Sequence, residues 1–328
     1  MPLPGPVGAS PLVIAGLFQI LAGNPQAVTT TLVPEPRPRP GDSVAGYFST
    51  IVDDPFLGLT TQATGTPTVT HEQVNQGFIG NCPVTAVLAA LAHTKPASVT
   101  GMIARVAGAV RYTPVFPGPP PPPAFSHFFK VTFPGTAPIA VSPLVYKLPR
   151  PVQSTDPAEI MYAHSPGQRP SWVSLMEKAY VLKKDTNADP LQKNYSVLDG
   201  GGKGLDPIEV MNDIAGTGAQ WVVDPKEVAE DERGPHPWTP AELTRVFTAA
   251  RTVPTIAATR SDQKIIDPLP ILKHHDYAVI GMLPAVQGRP AKVQLYNCHD
   301  LSATNQFKAP AITIAEFQQA FLMVVMKP

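Results

Sequence analysis

The sequence predicts an α+β protein of two lobes with a cleft between them, helix-rich first and strand-rich last. Helix-start signals recur up to Gly216, and beyond that point the apolar period shortens from that of helices to that of strands. Length supplies the third observation: 328 residues with 43% apolar content bury a substantial core, as one large domain or two closely packed subdomains. The expected boundaries are 1–40 for an apolar helix and proline-rich linker, 41–216 for the helix-rich lobe and 217–328 for the β-rich lobe.

Taken in order, residues 11–23 are apolar, but no basic residue precedes them, the first being Arg37. That disfavours a cleavable signal peptide, and the stretch is too short to span a bilayer. A helix that packs on the body or plugs a groove is expected. Residues 34–40, four prolines among seven, predict an extended linker. Asn81 and Pro83 open a helix whose apolar run 84–92 is stopped by Lys95-Pro96. The proline run 117–123 predicts a stiff surface loop. Residues 128–133 and 139–145 read as strands around a Pro134-Gly135 turn.

Ser171 caps a helix over 172–184, with Trp172, Leu175, Met176, Ala179 and Tyr180 on one face. Asp206-Pro207 with Glu209 opens another that ends at Gly216, and Thr239-Pro240 with Glu242 opens a third, to about Ala250. Residues 255–258, 277–282 and 293–296 are short apolar strands.

Charge narrows the function. Lys+Arg and Asp+Glu are equal at 25 each, which removes the electrostatic footprint of nucleic-acid or anionic-membrane binding. Two cysteines far apart form neither a disulfide framework nor a CxxC pair, which favours a reducing compartment. The expected location is cytoplasmic, or exported without a cleavable signal peptide, and the oligomeric state is open.

The chemistry-bearing window is Gln76-Gly77-Phe78-Ile79-Gly80-Asn81-Cys82-Pro83. It sets a thiol at the start of a helix, where the dipole and unpaired N–H groups favour the thiolate. A small apolar residue beginning a buried helix fits the same window. A thiol needs a base. His275, in His274-His275-Asp276-Tyr277, and Asn297, in Val293-Gln294-Leu295-Tyr296-Asn297, lie on two strands joined by the turn 284–290. Their midpoint falls at Val286, inside that turn, so an antiparallel hairpin sets them nearly opposite, with the Asn oxygen within reach of the imidazole N–H. A core histidine and a turn asparagine are the alternatives for each taken singly.

With these residues in order, the chain resembles the calpain family of papain-like cysteine proteases. The family's nucleophile motif Q-G-x-x-G-D-C-W is matched at Gln76, Gly77, Gly80 and Cys82, with Asn81 for the acid and Pro83 for the tryptophan. Its G-H-A-Y-S-V strand resembles 274–279, and its R-N-P-W-G motif keeps only Asn297, with Cys298-His299 in place of Pro-Trp. Trp172 to Tyr180 is similar to its W-x-x-L-L-E-K-A-Y helix, and 200–216 resembles the glycine-rich turn and helix that follow.

The resemblance implies a papain-like two-lobed fold, a helical Cys lobe followed by a β-rich His/Asn lobe. It implies peptide hydrolysis with Cys82 as nucleophile, His275 as base, Asn297 as its orienter, and the Gln76 amide with the Cys82 N–H as oxyanion donors. The partner is a protein or peptide substrate. A papain-fold acyltransferase, deamidase or isopeptidase, or an inactive binding module, keeps the same residues. No EF-hand spacing occurs, so calcium is unsupported, and no cofactor or metal is expected. Residues 200–204 lack the spacing of a phosphate loop, and the residues 274–276 and 298–300 match no zinc pattern.

Overall fold

The computed structural model describes residues 31–42, 46–47, 54–56, 69–112, 125–148, 160–190, 192–202, 204–223, 238–299 and 305–328. The apolar stretch 11–23 and the proline run 117–123 lie outside them. Helices follow in the order α1 (Cys82–Thr94), α2 (Pro96–Gly101), α3 (Trp172–Lys184), α4 (Pro207–Ala215), α5 (Pro240–Ala249), α6 (Gln263–Ile266), α7 (Asn305–Lys308) and α8 (Ile314–Ala320). Strands are β1 (Thr31–Val33), β2 (Gly46–Tyr47), β3 (Ile103–Tyr112), β4 (Phe125–Val131), β5 (Ile139–Val141), β6 (Tyr146–Lys147), β7 (Gln220–Val223), β8 (Thr255–Thr259), β9 (Asp276–Leu283), β10 (Lys292–Asn297), β11 (Ala311–Thr313) and β12 (Phe321–Met326). The chain is mixed α+β.

The larger sheet runs β11-β10-β9-β8-β12-β7, antiparallel throughout. Both its faces are covered, which is why its strands read as unbroken apolar runs. Ile256, Ala278, Ile280, Tyr296 and Val325 join one core with α1, α3 and α4. Their neighbours Ala257, Tyr277, Val279, Leu295 and Val324 point the other way and join α5 and α8. A second sheet, β1-β3-β4-β5, is antiparallel except that β1 lies parallel to β3. It sits in the first half of the chain, where the strands at 128–133 and 139–145 were expected but β3 was not, since the small residues of β3 carry a weak strand signal.

α1 packs against β9, β8 and α4 and is buried from Pro83 to Ala92. Ala86, Ala89 and Ala90 let those neighbours approach closely, and each fully buried Val or Leu on it contributes about 1.5–3 kcal/mol. Three of the helix starts follow the residues that announce them. The Ser171 hydroxyl accepts from Val173 N, the Asp206 carboxylate from Ile208 N, and Thr239 forms a reciprocal box with Glu242.

α3 departs from expectation. The sequence marks one apolar face, yet the helix is buried from Trp172 to Leu182, Glu177 and Lys178 included. Both charges have partners. Lys178 Nζ lies 2.6 Å from Glu35 Oε1, each side chain being 1% exposed, and also donates to Ser142 Oγ at 2.8 Å and to the Leu144 carbonyl. These acceptors explain why β5 stops at Val141 instead of running on to 145: the next residues turn to face the ammonium. Glu177 accepts from Ala163 N at 3.0 Å and from the Asn81 amide.

Residues 34–40 are docked, not spanning open space. Besides the Glu35 pair, Pro36 O accepts from Tyr146 Oη at 2.7 Å, Arg37 exchanges backbone bonds with Lys193 and Tyr195, and Arg39 pairs with Asp42 and Asp199. The extended conformation expected of the prolines is used as a strap over the helical core.

Candidate active site

The loop before α1 is pinned on both sides. Val74 O accepts from Tyr296 Oη at 3.1 Å, Asn75 and His164 exchange backbone bonds, Gln76 N donates to Cys298 O at 2.7 Å, and Phe78 N donates to Met161 O at 2.8 Å. Gly77 is required here, since a Cβ would stand 2.3 Å from Met161 O and 2.5 Å from the Tyr162 backbone. Gly80 is not, because its nearest neighbour, Asp199 Oδ1, would be 3.5 Å away. Asn81 occupies the cap position of α1 but makes no capping bond. Its amide N–H donates instead to the buried Glu177 carboxyl.

The same pinning sets Gln76 beside the end of β10, bridged to His299. One N–H of its side-chain amide goes to Ile79 O at 2.6 Å, within its own loop, and its Oε1 is buried without a hydrogen-bond partner among the described residues.

Cys82, half-buried, is the first residue of α1. Its Sγ donates to Asp276 Oδ2 at 3.2 Å. A helix N-terminus alone favours the thiolate, but burial first and the Asp276 charge second push this thiol well above its ordinary range. The expectation of a thiolate from position alone is corrected on that ground for the resting site.

His275 and Asn297 meet. His275 Nε2 lies 2.7 Å from Asn297 Oδ1, the histidine 6% exposed and the asparagine fully buried. The Asn297 oxygen also accepts from His299 N at 2.8 Å. An amide oxygen only accepts, so Nε2 carries the proton and Nδ1 is the basic nitrogen. Backbone bonds with Thr259 fix His275 from below, and Tyr277 packs edge-on against its ring at 5.0 Å. Burial lowers the imidazole to about 4, with Asn297 working the other way. His274, with φ 48°, is exposed and turns the chain into β9.

The pairing differs from the sequence expectation in register. Gln287 and Gly288 both have positive φ, the signature of a type I′ turn, and a bulge at Gln294/Leu295 shifts the ladder. Asn297 therefore opposes Tyr277, and His275 reaches it diagonally.

Sequence reasoning missed Asp276. Along β9 alternate residues face opposite ways, and Asp276 shares its side with Ala278 and Ile280, toward α1. The signal was available in strand alternation, but reading it requires knowing which face α1 covers. Burial raises this carboxyl to about 6. Lys308 is a second omission. Its Nζ donates to Asn75 Oδ1 at 2.6 Å and lies 4.9 Å from the Tyr296 ring centre.

Among the described residues no group of three or more His, Cys, Asp or Glu side chains could hold a metal ion, and no helix is long and apolar enough to cross a membrane. A scan against protein-family models finds no match for this chain, and neither does a search of curated proteins.

Proposed function

We propose that this chain is a cysteine endopeptidase of the papain-like two-lobed type, calpain-like in its motif order, working through Cys82, His275, Asn297 and Gln76. The observation that carries the reading is the buried 2.7 Å bond between His275 and Asn297, on strands adjoining the helix that Cys82 begins. It fixes the tautomer in which Nδ1 can take a proton.

In the proposed cycle the Cys82 proton passes to His275 Nδ1 as sulfur attacks the peptide carbonyl. The C–N bond then breaks, the amine leaves with the proton from His275, and water hydrolyses the thioester to restore the thiol. Gln76 contributes the side-chain N–H not engaged by Ile79, and Cys82 its backbone N–H, to the oxyanion. For transfer to begin, the sulfur must leave Asp276 and come within reach of the imidazole.

The test is covalent mapping. An epoxide or iodoacetamide probe is expected to modify Cys82 in the folded protein and spare the buried Cys298, and Cys82→Ala is expected to abolish peptide cleavage. Modification without cleavage moves the reading to an acyltransferase, deamidase or isopeptidase. The Cys82–Asp276 bond favours a second reading, an inactive binding module, and a Cys82 that resists modification near neutral pH with the fold intact would favour it further.

A further inference from the structure

The proton of Cys82 is held by a group that the proposed cycle does not use. Asp276 is 7% exposed, its Oδ2 takes the thiol proton at 3.2 Å, and its Oδ1 is buried without a hydrogen-bond partner among the described residues. The backbone N–H of Asp276 also faces the sulfur. We propose that Asp276 is a restraint on this site, a carboxylate that while ionised keeps Cys82 protonated and slow to react. This rests on reading Cys82 as the nucleophile.

While the carboxylate is ionised, taking the proton from sulfur leaves two anions side by side in a buried setting, which disfavours the thiolate. Asp276 is a poor base for the same proton. Burial lifts the thiol well above its ordinary range but the carboxyl only to about 6, so the proton stays on sulfur. The other titratable groups around the pair are His275 beside it in sequence, Tyr277 on β9, Cys298 and His299 past β10, and Lys308 of α7. Lys308 is bound to Asn75, and His275 is bound to Asn297 through Nε2 alone.

The experiment is the rate of iodoacetamide alkylation of Cys82 in the full chain from pH 5 to 9, read by mass spectrometry. Sulfur forms the new S–C bond, iodide leaves and the thiol proton goes to solvent. In the wild type the rate is expected to climb with pH up to about 6 and then flatten, because the next proton lost comes from Asp276 and not from sulfur. Asp276→Asn removes a neighbouring charge worth about one to three pH units. Thiolate content rises about tenfold per unit while its nucleophilicity falls about threefold, but about a tenth of wild-type Asp276 is still protonated at pH 7, so the rate there is expected to rise about 3- to 8-fold and the flat region to vanish.

Asp276→Glu is expected to keep the slow rate. Asp276→Asn alkylated no faster than wild type, with its circular dichroism unchanged, overturns the proposal. If that variant does not fold, a wild-type profile rising tenfold per unit straight through pH 6 to 8 does the same. Peptide cleavage plays no part in these readings. A protein that alkylates as expected yet cleaves nothing would leave the restraint standing while the peptidase reading fell.

Discussion

Glu177 is a carboxyl with no solvent and, at its two oxygens, donors from Ala163 and Asn81. Burial outweighs both of these and the nearby Lys178, and raises it to about 8. The folded state therefore holds a proton that the unfolded chain releases near its ordinary value of about 4.3. The stability it contributes is full below that value and is lost as pH rises through 8. Buried His275 and His71, both lowered to about 4, act in the opposite direction, losing stability as pH falls from about 6.5. Between pH 6.5 and 8 Glu177 contributes a declining stability, and Glu35, also raised by burial, works in the same direction. Thermal melts of Glu177→Gln are expected to decline less steeply across that window than those of the wild type. A mutant as steep as the wild type would mean that the carboxyl is already ionised in the fold. At this scale the sequence revealed the residues whose spacing is local, such as His275 and Asn297 about their turn. It hid Glu177, Lys178 and Asp276, whose meaning depends on what packs against them from elsewhere in the chain.

Elements were legible where their ends are chemical. Ser171, Asp206 and Thr239 announce α3, α4 and α5, and Thr313 with Glu316 carries the same box at α8. β3 announces little, since its small residues carry a weak strand signal, while the apolar run of β12 is legible but lies outside the strands expected. The loop before α1 separates the two kinds of glycine. Gly77→Ala drives a methyl into the 161–162 backbone and is expected to cost about 3 kcal/mol, while Gly80→Ala, with room for its methyl, should change stability by less than about 0.5 kcal/mol. Urea denaturation of the two variants side by side measures this. Equal losses would show that the loop gives way and that its pinning is weaker than the contacts suggest.

For the molecule as a whole, the docked strap changes how the amino-terminal region must be probed. Removing residues 1–40 takes Glu35 from Lys178 and leaves a buried ammonium without its counter-charge, a loss of about 3–5 kcal/mol. Glu35→Ala alone is expected to show that loss in chemical denaturation, and a change under 1 kcal/mol would show that Lys178 finds solvent or another partner. Removing only residues 1–30 spares the pair. It isolates the expected plug, which lies outside the described residues, and an unchanged alkylation rate at Cys82 would discard that role. The sheet holds one more consequence. β12 follows every other strand of the large sheet in sequence yet lies inside it, between β8 and β7. During synthesis a ribosome-bound chain can wind α1 early, but the imidazole and amide it is proposed to work with arrive about two hundred residues later, on a layer still lacking an interior rung. A nascent copy would carry its sulfur without these partners until residues 275–326 have been made.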